Sequence, residues 1–487
     1  MNDNLMNSGI HEKRMKYQSF VRAFAFLMLI ALMTSIFVCT HVYGAGWTTT
    51  EIVSTESTEG SSNPSLGVGP DGTVHIAWED WTNFDDSAVD KNIFYKRFVP
   101  GTGWTTTEVV STESTRWPED PSLAVGPDGT VHIAWERINS PVGSTDYDIF
   151  YKRFVPGTGW TTTELVSPES TGAWSFKPSL AVGPDGTVHI AWEEGVDIMY
   201  RRFVPGTGWT ATEVVSTEST DNSFEPSLAV DPDGTVHIAW ADSTRYTGPK
   251  TTPHIFYKKY VPGTGWTTTE VVSTESNWTS SNPSLAVGSD GTVHIAWQDL
   301  WGAKLEILYK RFVPGTGWTT TEVVSTESKE ACREPSLAVG PDGTVHIAWQ
   351  EDIETTDLLS DVDIWYRRFV PGTGWSTTEI ISTESFSDSE CPSLGVGPDG
   401  TVHIAWHDWT NIGGWANNDV DIFYKSLDMS AVTNGEEEKP AESEPTETEP
   451  TESAEAPLIT TEIVIIAAVI VVAVIGIVSY WMLRKRK

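Results

Sequence analysis

Apolar and polar positions alternate over short stretches of this chain, and the same alternation returns seven times. In residues 73–78, TVHIAW, Val74, Ile76 and Trp78 fall on one side of a period-two pattern, and Thr73, His75 and Ala77 on the other. That is a strand with one large-residue face and one small or polar face. SLAVG-type pieces precede it, and pieces like IFYKRF (residues 93–98) and WTTTEVVS (residues 104–111) follow. PDG joins the first piece to the second and VPGTG the third to the fourth, with glycine supplying the positive φ of a tight turn. The histidines of the repeated HIAW are His75, His132, His189, His237, His294, His346 and His403. A repeat of about fifty residues is one supersecondary unit that must stack on its neighbours to bury its faces.

Four antiparallel strands repeated seven times predict an all-β, seven-bladed β-propeller of four-stranded blades. The ends of the repeat region fit each other. Residues 47–54 are a fourth-strand piece with nothing before it, and the last copy stops after its third strand at residues 422–425. Paired together, they close the ring and remove its open edges.

The propeller is expected over residues 45–428. Before it, residues 1–44 read as a signal peptide: Lys13, Arg14, Lys16 and Arg22 precede an apolar run over residues 23–39, and Val42 and Gly44 suit cleavage before Ala45. After it, residues 429–462 form a Glu-, Pro- and Thr-rich stalk too polar to offset the entropy of ordering. Residues 463–483 carry no charge and are long enough for a C-terminal transmembrane helix, and Arg484, Lys485, Arg486 and Lys487 make a basic cytoplasmic tail. The expected location is the cell membrane, single-pass, with the propeller extracellular.

Charge narrows the partners. With 67 acidic and 31 basic residues the net charge is −36, which argues against nucleic acid and anionic lipid headgroups. Of the three cysteines, Cys39 falls in the signal segment. Cys332 and Cys391 each lie just before a first strand, in neighbouring blades, and are a candidate disulfide for an oxidising compartment.

The PDG and VPGTG turns barely change between copies, whereas the second-to-third and fourth-to-first connections differ throughout. In an antiparallel blade these two sets occupy opposite ends, so individuality is confined to one face of the disc. That face carries the off-pattern aromatics Trp81, Trp117, Trp174, Trp278, Trp301, Trp409 and Trp415, with Phe84 and Tyr246, and the acids Asp80, Asp242, Asp299, Asp352 and Asp408. Aromatic faces beside carboxylates suit sugar rings, a basic protein surface or Ca²⁺. The Asp-x-Asp pairs Asp146/Asp148, Asp361/Asp363 and Asp419/Asp421 are the better cation candidates. The HIAW histidines sit one per blade and cannot converge on a metal, so they read as inter-blade hydrogen-bonding residues. No cofactor is implied beyond such a Ca²⁺ ion. Asn277-Trp278-Thr279 is a glycosylation sequon.

PSLAVGPDGTVHIAW, then DIFYKRF, then a Gly-rich turn ending in Trp, resembles the sialidase-like (BNR, Asp-box) propeller repeats over roughly residues 46–428. The turn at residues 99–104, VPGTGW, lacks the Asp of an Asp-box. The resemblance implies the propeller fold. The arginine triad and Tyr/Glu pair of sialidase activity cannot be placed by motif, so no catalytic residue is carried over. The reading favoured is a surface-anchored binding or adhesion module for a glycan or glycoprotein, without turnover. The alternative is a sialidase-like glycoside hydrolase. Near-identical first strands favour binding, because catalysis needs unlike groups with separated pKa values.

Overall fold

The computed structural model describes residues 46–82, 91–113, 117–138, 146–169, 173–245, 252–302, 304–353, 361–410 and 420–429. The signal segment, stalk, membrane span and basic tail expected from the sequence lie outside these residues. Among the described residues no helix is long and apolar enough to cross a membrane.

Seven antiparallel sheets form the blades. In the first, Ser61–Val68 is innermost, Val74–Asp80 and Asn92–Val99 follow, and the outer strand comes as two pieces, Gly103–Trp104 and Glu108–Val109. The break is one extra residue. Trp104 pairs with Phe98 and Glu108 with Tyr95, so the outer chain advances four residues against three. Thr105 bridges the gap, its Oγ1 accepting from the Arg97 amide at 3.3 Å. The ring closes as the fragment ends require. Glu51–Ile52 pairs with Asp421–Leu427, Trp47 bridges to Leu427, and the Val53 amide donates to the Ile422 carbonyl at 2.7 Å.

The core lies between blades, in seven layers. Ala77, Ile93 and Tyr95 of the first blade pack on Leu123, Val131, Ile133, Trp135 and Phe150 of the second. The closing layer sets Ala405, Ile422 and Tyr424 of the last blade, with Val53 of the N-terminal strand, against Leu66, Val74, Ile76 and Trp78. The large face of each second strand thus fills space left by the small face of its neighbour, and the seven HIAW tryptophans are essentially unexposed.

Rings of hydrogen bonds tie the blades. Ser65 Oγ accepts from the Leu123 amide at 2.9 Å, and so on round to Ser393 Oγ and the Leu66 amide at 2.9 Å. Farther out, Trp104 Nε1 donates to Glu51 at 2.8 Å, and the equivalent bond from the N-terminal Trp47 to Glu379 at 3.0 Å completes that circle. Buried Lys96 donates to the Val53 carbonyl at 2.9 Å and to Glu56 at 2.6 Å, pinning the blade before it. Each HIAW histidine bonds within its own blade rather than between blades. His75 Nδ1 shares a 2.7 Å hydrogen bond with Tyr95 OH of the adjoining strand, and His403 does the same with Tyr424.

The expected disulfide is absent: both described cysteines are free thiols. They occupy different register positions. Cys332 is the first residue of its inner strand, paired with Glu351 and buried, whereas Cys391 is the third residue of its strand and lines the central axis. Cys332 Sγ donates to Ser328 Oγ at 3.1 Å and Cys391 Sγ to Glu334 at 3.0 Å.

Candidate functional site

Six of the seven candidate tryptophans gather at one end of the disc, where inner strands begin and second strands finish. The Trp81 amide donates to the Gly60 carbonyl and that of Trp409 to Asp388, both at 3.0 Å. Trp174 accepts from Gly195 at 3.3 Å. Trp117 precedes Pro118, which pairs with Arg137; Trp301 pairs with Lys304 at a hairpin tip; and Trp278 leads into the strand starting at Ser280. All six side chains are 38–52 % exposed, an unusual state for the largest apolar residue. Lys91 Nζ stands 4.8 Å from the Trp81 ring centre. Trp415, Phe84 and Tyr246 lie outside the described residues.

The carboxylates separate from the tryptophans. Asp80, Asp242, Asp299 and Asp408 are fully buried. Asp80 accepts from Trp78 Nε1 at 2.9 Å, Ser61 Oγ at 2.8 Å and the Thr82 amide at 2.8 Å, and Asp242 is bound in the same way. These four hold strand ends together and offer a ligand no accessible oxygen. Period-two alternation had placed them on a loop; each second strand runs at least two residues past its tryptophan and takes them inside. Asp352 stays partly exposed and ion-paired with Arg333. The second acids of the Asp-x-Asp pairs are also engaged: Asp148 accepts from Ser167 at 2.9 Å, Asp363 from Ser382 at 2.6 Å and Asp421 from Ser54 at 2.7 Å. Among the described residues no three His, Cys, Asp or Glu side chains group as a metal site.

A second feature, not read from the sequence, lies on the axis. A cavity of about 480 Å³ is lined by all seven inner strands. One residue per blade there has left-handed φ, between 46° and 56°: Asn63, Asp120, Lys177, Glu225, Asn282, Glu334 and Cys391. Each directly precedes the repeat proline, opens a bulge in the inner strand, and differs from most of its counterparts. The strain is held by the preceding blade. Asp120 N donates to Glu79 at 3.0 Å, Lys177 N to Glu136 at 2.6 Å, Glu225 N to Glu193 at 2.7 Å, and Cys391 N to Gln350 at 2.9 Å. Where Ala241 offers no acceptor, Glu225 itself accepts from Asn282 N at 2.6 Å. Burial, then the neighbouring Glu79, pushes Asp120 up to about 7. Burial, then Asp120, pushes Glu136 up to about 9. Burial and Glu334 raise the Cys391 thiol. The inner strands therefore do present unlike groups, at the one position before each proline where the copies disagree. That disagreement was the signal available in the sequence.

No family model matches the sequence, and no curated protein matches it. Solved structures resemble the fold. A polysaccharide lyase, PL25 ulvan lyase, bound to -[GlcA(1-4)Rha3S]- superposes with a TM-score of 0.51 at 11% identity, covering 75% of this chain and 94% of that one. A second ulvan lyase structure gives 0.52 at the same identity and coverage. The leech intramolecular trans-sialidase gives 0.42 at 11% identity, covering 80% of this chain and 71% of that one. At such identities the likeness to the lyase shows the propeller fold alone.

Proposed function

We propose that the protein is a surface-anchored propeller that binds a glycan or glycoprotein across the tryptophan-bearing face without turning it over. The observation that carries this reading is the rim itself: six tryptophans from five blades, each about half exposed, at the end of the disc where the connections vary. Exposed indoles stack on the C–H faces of sugar rings, and the polar axial cavity supplies hydrogen-bonding groups. The folds it resembles include a lyase solved with a bound glycan, which supports the same ligand class. The signal segment and membrane span read from the sequence would hold this face outside the cell, where glycans are met. Retention of the full chain on a glycan panel, with soluble products analysed in parallel, tests the proposal. Retention with intact glycan supports it, and no retention on any member refutes it.

One observation favours the hydrolase reading: Asp120 lines the axial cavity, and burial and then Glu79 raise its carboxyl above the usual carboxylate range, the direction a general acid needs. Release of sugar products, lost in Asp120→Asn, would establish that reading instead.

A further inference from the structure

The second blade departs from the other six at one buried position. Two residues after the HIAW tryptophan, the other blades carry an acid: Asp80, Glu194, Asp242, Asp299, Glu351 and Asp408. In five of them the acid accepts from the tryptophan Nε1, at 2.9 to 3.2 Å. In the sixth blade Glu351 occupies the position and accepts from Cys332, and there Trp349 Nε1 also has no hydrogen-bond partner. The second blade has Arg137. Pro118 also replaces the serine that starts the inner strand in several blades and donates to the acid.

The exchange leaves donors without acceptors. Trp135 is fully buried, and neither its Nε1 nor the Nε of Arg137 has a hydrogen-bond partner. Positions 135 and 137 share one side of the strand, and the Arg137 guanidinium lies 3.8 Å from the centre of Phe150, the residue paired with Trp135. Arg137 donates only a long 3.3 Å bond to the Glu113 carbonyl and forms no ion pair with a described residue. The Glu113 carboxylate is taken by Lys152 at 2.9 Å, and Asp148 accepts from Ser167. Residues 114–116 and 139–145, the adjoining connections, contain no Asp or Glu. The buried indole N–H costs free energy within the blade, and the partly exposed guanidinium, short of acceptors, would gain from an incoming anion. Pro118 pairs with Arg137, so exposed Trp117 of the rim stands beside this spot.

We propose that Arg137, partly exposed beside buried Trp135, forms a carboxylate-binding subsite, in which a ligand carboxylate supplies the negative charge that the resident acid brings to the other blades. Resting on the glycan-binding reading above, this makes the ligand an acidic glycan, one containing sugar acids, with the charged group at the second blade and neutral rings on the rim.

The experiment compares oligogalacturonate with its methyl ester, the same sugar without the charge, by calorimetric titration of the full chain. The wild type should bind the acid at least about tenfold more tightly than the ester, the worth of one desolvated charge-assisted pair. Arg137→Asp returns an acid to the position beside Trp135. It should abolish the preference and raise Tm. Arg137→Gln, which keeps the packing on Phe150, should also abolish the preference. Equal binding of acid and ester by the wild type, or a preference that survives both substitutions, overturns the subsite and leaves the rim standing. Absence of binding to either compound overturns the subsite, and the glycan panel then decides the rim separately.

Discussion

The two ends of the disc are built from the same strands under opposite rules. At the end with the PDG and VPGTG turns, each blade repeats its neighbour, and Asp71, Asp128 and Asp185 accept from the same turn amide at 2.9 Å. At the other end, connections differ, tryptophans stand exposed, and an axial ring holds seven side chains of five types in left-handed backbone. The repeated strands show how little is needed to make blades interchangeable: one serine, one histidine–tyrosine pair and one lysine or arginine latch per blade. The variable end shows where variation is tolerated without loosening the ring. It occurs outside the layers between blades, and at one inner position whose amide is latched by the blade before it.

The sharpest way to break the scaffold is to remove its closure. Deleting residues 46–54 strips the last blade of its outer strand and of Val53 in the closing layer. Loss of a single cooperative melting transition by calorimetry is expected, because the ring then has an open edge.

Acid should act next most strongly. His75, His132, His189, His294, His346 and His403 are lowered to about 4, first by burial. Between pH 6.5 and about 4 the unfolded chain therefore binds protons that the folded chain refuses, and stability falls as pH drops through that window. Glu56, Glu218 and Glu275 lie lowered to about 2, burial being outweighed by hydrogen bonds from lysine and threonine. Their contribution is full above pH 4.5 and is lost as pH falls toward 2. Asp120 and Glu136, raised by burial, take up protons on folding in the same window as the histidines and oppose their loss, two groups against six histidines. Chemical denaturation at stepped pH should show a net decline below 6.5 that steepens in an Asp120→Asn/Glu136→Gln variant, and flat stability of that variant down to pH 4.5 would contradict the buried neutral histidines.

Smaller steps separate the latches. Lys96→Ala leaves the buried Val53 carbonyl without its donor and should cost on the order of 1–3 kcal/mol in urea unfolding. Ser65→Ala removes one link from the serine ring and should cost about 1 kcal/mol. Trp81→Ala, at an exposed rim position, should change stability by less than about 0.5 kcal/mol.

Blade number, strand order and ring closure were legible because period-two alternation and turn chemistry repeat seven times, and the fragment ends complement one another. The exposed tryptophans were legible too, as large apolar residues outside that alternation. The buried aspartates were misread because Asp80 looks like the start of a loop, when the strand continues and folds its carboxylate onto Trp78. Cys332 and Cys391 looked equivalent because sequence distance hides a two-residue difference in register, which sends one thiol between strands and the other to the axis. The axial ring went unread because a non-glycine residue before proline gives no warning of left-handed φ; the bulge behind it depends on an acceptor from another blade.

The central claim is that binding belongs to the variable end and stability to the repeated strands and their buried latches. Measuring glycan affinity of Trp81→Ala/Trp301→Ala/Trp409→Ala beside Thr102→Ala/Thr158→Ala/Thr264→Ala, three exposed threonines of the VPGTG turns, tests it directly. The tryptophan variant should lose about tenfold or more in affinity, at about 0.5–1 kcal/mol per stacked ring, with its Tm unchanged. The threonine variant should bind as the wild type does. Loss of binding in a folded threonine variant, with full binding in the tryptophan variant, would contradict the account.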